Sequence, residues 1–287
     1  MNETLSRIEL LPCWNDLANV QTLSGGITNQ NFLVTDAEGR YVVRIGDDIP
    51  VHHVMRFNEH AASRAAASAG ISPRVHFSEP GALVIDYIDA APLTSEDVRA
   101  CLPEIVALIK QTHVEVPKHL HGPALAFWVF HILRDYAYAL LKDNYDADLK
   151  TLMAQADQLE RSVGAIDMTF SHNDLLAANF LHDGNRLWLI DWDYAGFNSA
   201  LFDLGGLASN NELSQPEEIR MLEGYFERPL DGDVFRRYTA MKTASLLRET
   251  LWSMVSEVHS KIDFDYSSYT RLNLEKFQAA WSDFKQV

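Results

Sequence analysis

Strand-like patterns are concentrated in the first third of the chain, and this division constrains the fold more than any other feature of the sequence. Alternating apolar and polar residues predict strands at 20–23, 31–35, 41–45, 75–77 and 82–88. A turn at 37–40 joins the second and third strands into a hairpin. An alanine-rich helix is predicted over 52–69 and ends at Gly70, and a short helix over 1–18 precedes the strands.

Helical periodicity dominates from residue 94 onward. Predicted helices cover 94–113, 124–143, 147–162, 203–211, 216–227, 231–258 and 267–284. The first of them opens with Thr94 and Asp97 at the spacing of a capping box. Only 169–193 departs from this pattern, with short strand-like runs around polar residues. The two parts predict an α+β chain with a small, sheet-containing N-lobe (1–88) and a larger, mainly helical C-lobe (89–287).

The charge of the chain restricts its partners. It carries 24 Lys and Arg against 40 Asp and Glu, a formal net charge of −16, without a run of basic residues. Nucleic acid is therefore disfavoured, whereas a cationic small molecule is compatible with this charge, although a solvated acidic surface explains it equally well. No segment is apolar enough for membrane insertion. Two distant cysteines and an acidic start predict a cytoplasmic protein, and a homodimer is left open.

The most informative segment contains two acidic motifs. H-x-D-x-x-x-x-N starts at His172, and I-D-W-D starts at Ile190. Apolar runs between them, separated by an Asp-Gly-Asn turn, predict a hairpin that would bring Asp174 and Asn179 close to Asp191. Unpaired carboxylates at such spacing resist burial, and a hard divalent cation offsets that cost. Mg²⁺ takes oxygen ligands and is commonly held by one or two carboxylates plus substrate phosphates.

Phosphoryl transfer uses side chains of these types. An aspartate accepts the proton of the attacking hydroxyl, while an asparagine and a second aspartate hold the metal that bridges the phosphates. The combined motifs favour such a function for Asp174, Asn179 and Asp191. Asp183 is interpreted as part of a solvated turn. Asp203 is at least as well explained as the N-terminal cap of a helix.

The two motifs resemble the catalytic loop and metal-binding segment of the aminoglycoside phosphotransferase and choline kinase superfamily, and the resemblance covers nearly the whole chain. It implies a bilobal protein-kinase-like fold and ATP as phosphoryl donor. It also implies that Asp174 is the catalytic base, that Asn179 and Asp191 are Mg²⁺ ligands, and that Asp193 supports the metal site.

A glycine-rich segment lies between the first two predicted strands. It contains Gly25, Gly26, Thr28 and Asn29. Paired glycines let a backbone approach a phosphate closely, although two glycines between strands are more often an ordinary turn. No Gly-Lys-Ser/Thr follows, so this is not a Walker A motif. In choline-kinase-like sequences a similar loop covers the phosphates, and the resemblance implies that role here.

Three further elements are assigned to the nucleotide. Arg44 on the third strand takes the position where most kinases have Lys, and choline-kinase-like sequences commonly have Arg there. A guanidinium can hold phosphates through a fork of two N–H groups. Glu59 on the following helix is the expected ion-pair partner of Arg44. Asp86, Tyr87 and Ile88 resemble the hinge between lobes, where backbone groups would meet adenine.

The acceptor site is predicted near the C-terminus. Trp252, Tyr266 and Tyr269 match the choline-cage region of choline kinases, and an aromatic cage binds a quaternary ammonium by cation–π attraction. Glu249 stands where the family usually has a second Trp, which opens ethanolamine or another amino alcohol as substrate. Tyr194 follows Asp193 directly and is a further candidate to face the acceptor. Aromatic residues at helical spacing also commonly pack in a core.

The sequence leaves alternative functions open. The acceptor of the same chemistry could be an aminoglycoside, thiamine, homoserine or a sugar. A protein kinase is disfavoured because D-F-G and A-P-E elements are missing. A catalytically inactive nucleotide-binding protein is a third alternative. Among the histidines, His172 is interpreted as structural, and His52 and His53 as surface residues.

Overall fold

The computed structural model describes residues 2–23 and 30–287. Five antiparallel strands form one sheet in the order β1-β2-β3-β5-β4. They are β1 (Asn19–Leu23), β2 (Gln30–Thr35), β3 (Arg40–Ile45), β4 (Val75–Glu79) and β5 (Ala82–Asp86). The five strands predicted in the first third of the sequence are thus confirmed.

Local side-chain contacts set the geometry of this sheet. The Asp36 carboxylate accepts hydrogen bonds from the backbone N–H groups of Glu38 at 2.8 Å and Gly39 at 3.0 Å, which closes the predicted β2–β3 turn. Alternate residues of β2 and β3, including Phe32 and Val43, are buried in one apolar cluster with Ile8. Ile8 belongs to the helix α1 (Asn2–Glu9), which therefore covers one face of the sheet.

Two helix boundaries differ from the prediction. α1 ends at Glu9 instead of near residue 18, because Pro12 lacks a donor N–H and disfavours helical backbone at the residue before it. The alanine-rich helix α2 (Arg56–Ser68) begins four residues later than predicted, after a 3₁₀ turn at Pro50–His52. The Asp48 carboxylate accepts from the backbone N–H of Arg56 at 2.7 Å and so fixes this start. Beyond the other end of α2, Gly70 has φ of 73°, as expected for a glycine that ends a helix.

The C-lobe is built around one long helix. Its helices are α3 (Ser95–Ala100), α4 (Leu102–His119), α5 (Val129–Lys142), α6 (Leu149–Val163), α7 (Ala200–Asn210), α8 (Gln215–Phe226), α9 (Gly232–His259) and α10 (Tyr266–Phe284). The capping box at Thr94 and Asp97 is present at the start of α3. α9 is buried along most of its length and contacts α5, α6, α7 and α10. Helical packing thus forms most of the core of this lobe.

Two short strand pairs interrupt the helices. The predicted hairpin is present as β7 (Phe180–His182) paired with β8 (Leu187–Leu189). Around it, β6 (Met168–Ser171) pairs with β9 (Gly196–Ser199), a strand that the sequence analysis did not identify. Both acidic motifs lie on the connections between these strands. The pairing of β6 with β9 therefore brings the two ends of the acidic region together.

A small antiparallel sheet joined to a larger helical lobe is the α+β, kinase-like architecture that the sequence predicted. β5 ends at Asp86 and α3 begins at Ser95, so the predicted boundary at residue 88 falls within the connection between lobes and stays a prediction. None of the helices over 2–23 and 30–287 has the length and apolar character needed to cross a membrane.

Candidate active site

A cleft of about 630 Å³ separates the sheet from the helical lobe. Its N-lobe wall includes Arg44 from β3, Glu59 from α2 and the interlobe connection at 86–88. Its C-lobe wall includes both acidic motifs and part of α9. Candidate residues that are far apart in sequence therefore line the same cleft.

The buried carboxylate of Asp203 anchors the loop that carries Asp174. The Asp203 carboxylate accepts from the backbone N–H groups of His172 at 2.9 Å and Asn173 at 2.7 Å. It also contacts Nε2 of His113 at 2.9 Å. Burial works to raise the pKa of Asp203, but its hydrogen bond and attraction to His113, followed by His172, hold it below the usual value. The helix-cap interpretation of Asp203 is wrong, because Ser199 is the N-cap of α7.

Asp174 lies on the cleft wall, with 17% of its side chain exposed. Burial raises the pKa of Asp174 to about 7, and the negative charges of Glu249, Asp191 and Asp193 add to the rise. The guanidinium of Arg248, with Nη1 at 3.9 Å from Oδ1 of Asp174, opposes it. A carboxyl group with this pKa can accept and release a proton near neutral pH.

Asn179 and Asp191 are brought together by the β7–β8 hairpin. The backbone N–H of Ile190 donates to the carbonyl of Asn179 at 3.0 Å, next to the start of β7. The Asn179 amide nitrogen donates to the carbonyl of Asp174 at 2.8 Å, which leaves the amide oxygen for another partner. Asp191 has φ of 70° and a side chain that is 30% exposed. Asp174, Asn179 and Asp191 all line the cleft.

A buried ion-pair network joins the two lobes across the cleft. Nη1 of Arg44 lies 2.8 Å from Oε1 of Glu59, 2.9 Å from Oδ1 of Asp191 and 2.7 Å from Oδ1 of Asp193. The predicted ion pair between Arg44 and Glu59 is therefore present. Sequence reasoning missed Arg56, whose Nη1 lies 2.7 Å from Oε2 of Glu59 and 2.9 Å from Oδ1 of Asp193. Its position in the first turn of α2, three residues before Glu59, was the available signal.

The interlobe connection also lines the cleft, but part of its backbone is already paired. The N–H of Asp86 donates to the carbonyl of Arg74, and that of Tyr87 donates to the carbonyl of Arg40, both at 2.9 Å. Ile88 lines the cleft beside them. The predicted phosphate loop, with Gly25, Gly26, Thr28 and Asn29, lies outside the described residues.

The acceptor candidates form a second hydrogen-bonded group on the C-lobe. Nε1 of Trp252 donates to the Tyr194 hydroxyl at 2.8 Å, and the Tyr269 hydroxyl donates to Oε1 of Glu249 at 2.7 Å. These four residues line the cleft. Tyr266 is not among the residues that line the cleft: its ring packs against Trp252, and its hydroxyl lies 2.8 Å from Oγ of Ser260.

Two further residues near this group differ from expectation. Sequence reasoning missed Arg248, which is 4% exposed and lies on α9 beside Glu249. An Arg-Glu pair inside an otherwise apolar helical stretch was the signal that could have found it. His52 is not a surface residue, because only 5% of it is exposed. Its ring centre lies 5.2 Å from that of Trp252, and its Nε2 lies 3.2 Å from Oγ of Ser256. The helical periodicity assigned to 52–69 misplaced it, because His52 lies in the preceding 3₁₀ turn.

An antiparallel sheet over a helical lobe, with an aspartate loop and an arginine–glutamate pair facing one cleft, is the architecture of the kinase-like phosphotransferases. Residues 19–241 match the model of the phosphotransferase enzyme family, and the chain belongs to this family. The resemblance stated from the sequence is thereby confirmed.

Several known proteins are similar along most of the chain. A choline/ethanolamine kinase family protein from Mesorhizobium loti has the same fold, with a TM-score of 0.80 and 24% identity over 97% of this chain and 94% of that one. The choline kinase LicA from Streptococcus pneumoniae superposes with a TM-score of 0.78 and 21% identity, over 97% of both chains. In sequence, ethanolamine kinase 2 from Mus musculus is 23% identical over 94% of this chain and 78% of its own length.

Proposed function

We propose that this protein transfers the γ-phosphoryl group of ATP to the hydroxyl of a small amino alcohol, with choline or ethanolamine as the leading candidates. One observation carries the proposal: Asp174, Asn179 and Asp191 line the same cleft as the Arg44–Glu59 pair. These are the side-chain types that position a nucleotide, a metal and an attacking hydroxyl in phosphoryl transfer. Family membership supports the reaction class.

The donor is assigned to the N-lobe side of the cleft. Arg44 would hold the phosphates, with Glu59 orienting its guanidinium. The segment with Gly25, Gly26, Thr28 and Asn29 would cover the phosphates, and Asp86, Tyr87 and Ile88 would lie beside the adenine. A solved structure of LicA in complex with AMP has the same fold, with a TM-score of 0.78 and 21% identity over 97% of this chain. That likeness is compatible with nucleotide binding here.

The residues present fit Mg²⁺. Five carboxyl groups, from Glu59, Asp174, Asp191, Asp193 and Glu249, line this part of the cleft against the guanidinium groups of Arg44 and Arg248. Asn179 and Asp191 would hold the ion together with phosphate oxygens, and Asp193 would support them. The described residues contain no group of three or more His, Cys, Asp or Glu side chains arranged to hold a metal, so the phosphates would complete the site. When bound, the ion would neutralise charge that develops on the phosphates.

Asp174 is proposed to act as the general base. Its carboxylate would take the proton of the acceptor hydroxyl while that oxygen forms a bond to the γ-phosphorus. The bond from the γ-phosphorus to the β–γ bridging oxygen breaks, and ADP leaves with the electron pair of that bond. Most of the rate enhancement would come from positioning and charge neutralisation.

The acceptor is proposed to bind against Tyr194, Glu249, Trp252 and Tyr269 on the C-lobe, with Tyr266 packed behind Trp252. An acidic cleft with aromatic walls suits a cationic alcohol. The names of the similar proteins, which include ethanolamine kinases and LicA, agree with this class of acceptor. A cytoplasmic location is also part of the proposal, from cysteine usage alone.

The test is ADP release from ATP and MgCl₂ with a panel that contains choline, ethanolamine, thiamine, homoserine and two aminoglycosides. We expect turnover with an amino alcohol, and a phosphate ester of that alcohol as product by mass spectrometry. The protein with Asp174→Asn is the matched control, because it retains shape while losing the base. ATP binding without turnover on any acceptor would favour an inactive nucleotide-binding protein instead.

A further inference from the structure

A buried arginine occupies the acceptor side of the cleft. Arg248 extends from α9, and its Nη1 donates to Oε2 of Glu249 at 2.7 Å. The guanidinium carbon lies 4.3 Å from the centre of the Tyr194 ring, within the range of a cation–π contact. The same nitrogen is 3.9 Å from Oδ1 of Asp174. The proposed acceptor pocket therefore already contains a cation next to the proposed base.

This arginine is incompletely paired by the protein. Its Nε and Nη2 atoms are buried and have no hydrogen-bond partner among the residues that the structure describes. A buried charge with unpaired donors lowers the stability of a fold, and an apolar residue of similar volume would pack at lower cost. Packing alone therefore does not explain an arginine at this position. A role in ligand binding does explain it.

Arg248 takes the place that a quaternary ammonium would need. Such a group has no hydrogen to donate and binds through desolvated aromatic faces. The Tyr194 ring already stacks with the guanidinium, and the Trp252 indole donates to the hydroxyl of that tyrosine. Repulsion by Arg248 acts on any cationic acceptor, and a quaternary ammonium has no N–H donor with which to offset it by pairing with a carboxylate. The pocket is thus poorly suited to a trimethylated headgroup.

Glu249 offers a different mode of recognition. One of its oxygens pairs with Arg248, and the other accepts from the Tyr269 hydroxyl, yet the side chain still lines the cleft and is 17% exposed. A carboxylate has about four lone-pair positions, so both oxygens retain acceptor capacity. A primary ammonium has three N–H donors and a small volume, and can use that capacity.

We propose that the Arg248–Glu249 pair selects the acceptor: alcohols with a hydrogen-bond-donating amine are phosphorylated in preference to those with a quaternary ammonium. The inference rests on the proposed function and narrows its substrate class to primary amino alcohols of the ethanolamine type. Arg248 is the specificity-determining residue, because it occupies the aromatic face and orients Glu249. Glu249 receives the ammonium.

The first test is a methylation series on the wild-type protein: ethanolamine, its N-methyl and N,N-dimethyl derivatives, and choline. Each methyl removes one donor and adds volume, so kcat/KM is expected to fall at every step. The total difference is expected to be at least about tenfold, the effect of one lost hydrogen bond to a charged group. Choline turnover equal to or better than that of ethanolamine would overturn the inference and leave the kinase function standing. Failure with all four alcohols, with turnover of another acceptor in the panel, would instead overturn the amino-alcohol assignment of the proposed function.

The second test replaces Arg248 and measures the preference between ethanolamine and choline. Arg248→Met removes the charge at similar length, and we expect the ethanolamine-to-choline ratio of kcat/KM to fall about tenfold, mainly through a lower KM for choline. Arg248→Lys is the comparison variant: it keeps the charge but loses the planar group that lies against Tyr194, so its ratio is expected to fall less than that of Arg248→Met. A folded Arg248→Met protein with an unchanged ratio contradicts the proposal. If this variant fails to fold, Glu249→Gln decides: it should lower kcat/KM for ethanolamine more than for choline, and an equal loss on both also contradicts it.

Discussion

Two arginines face the same cleft, and the protein pairs them very differently. One nitrogen of Arg44 contacts three carboxylates, from Glu59, Asp191 and Asp193, and thereby connects β3 and α2 of the N-lobe with a loop of the C-lobe. Arg248 pairs closely with its sequence neighbour Glu249, and two of its nitrogens have no partner among the described residues. The first arginine joins lobes, whereas the second remains available to influence a ligand.

The difference teaches that burial alone does not identify the role of a charged residue. Both guanidinium groups are largely withdrawn from water, with 14% of the Arg44 side chain and 5% of the Arg248 side chain exposed. Full compensation by carboxylates from different elements indicates that Arg44 also contributes to the structure. Incomplete compensation, beside a carboxyl group whose pKa is raised, is typical of a functional site. Four measurements can break or sharpen this contrast.

The largest effect is expected at Asp174, on the acceptor side. Asp174→Asn removes the proposed base without a large change in volume, so kcat should fall by about 10²-fold to 10⁴-fold. ATP affinity should change little, because Arg44 and its partners remain. Turnover kinetics and nucleotide binding measured on the same preparation separate the two quantities. A loss of less than about tenfold in kcat would show that Asp174 is not the base.

The next largest effect compares the two arginines directly. Arg44→Met removes the ion pair with Asp191 and leaves the carboxylates of Glu59 and Asp193 in contact with Arg56, so the free energy of unfolding should fall by about 3 kcal/mol. Arg248→Met removes an incompletely paired charge and should cost less than about 1 kcal/mol. Urea unfolding of both variants under identical conditions measures the difference. Equal losses would mean that the pairing seen around Arg44 does not stabilise the protein more than that around Arg248.

Local sequence signals were sufficient for most of the fold. The strands, the β7–β8 hairpin and the capping box at Thr94 depend on alternation, turn residues and short spacings, which a single sequence displays. The errors have equally local causes. Pro12 ended α1 early, and Asp48 set the start of α2 at a point that periodicity could not reveal.

The candidate site was only partly accessible to sequence reasoning, because its remaining contacts are long-range. The pairing of Arg56 with Asp193 joins residues from different lobes, and the support by Asp203 of the loop that carries Asp174 requires the β6–β9 strand pair. Tyr266 shares its helix with Tyr269, but packing turns it behind Trp252. Motifs indicate which residue types are present, whereas tertiary packing decides which of them face the cleft.

A smaller effect is expected from the pH dependence of stability, through His52, whose ring contacts Trp252. Burial, aided by the charge of Arg248, lowers the pKa of His52 to about 3, whereas the unfolded imidazole titrates near its ordinary value. Below about pH 6.5 the unfolded state therefore binds one more proton than the folded state. The free energy of unfolding then decreases as the pH is lowered. From pH 7.5 to pH 5.5, His52 should contribute a loss of roughly 1 kcal/mol.

Urea unfolding at both pH values checks this contribution. His52→Gln removes the titrating group, so its loss of stability between the two pH values should be smaller than that of the wild type by the same amount. The comparison uses the change with pH, because the substitution itself also alters packing against Trp252. An identical pH dependence in both proteins would contradict a neutral, buried His52.

The smallest effect is expected from a single hydroxyl on the acceptor side. The Tyr269 hydroxyl donates to Oε1 of Glu249 at 2.7 Å, which helps to hold that carboxylate against the cleft. Tyr269→Phe should therefore raise KM for ethanolamine by about fivefold, with kcat nearly unchanged, because the bond orients a binding group and does not contact the transferred phosphoryl group. Tyr266→Phe is the informative comparison, since its hydroxyl lies near Ser260 and its effect on KM should be smaller. If Tyr266→Phe instead had the larger effect, the aromatic cage predicted from sequence would describe the acceptor site better than the Arg248–Glu249 pair.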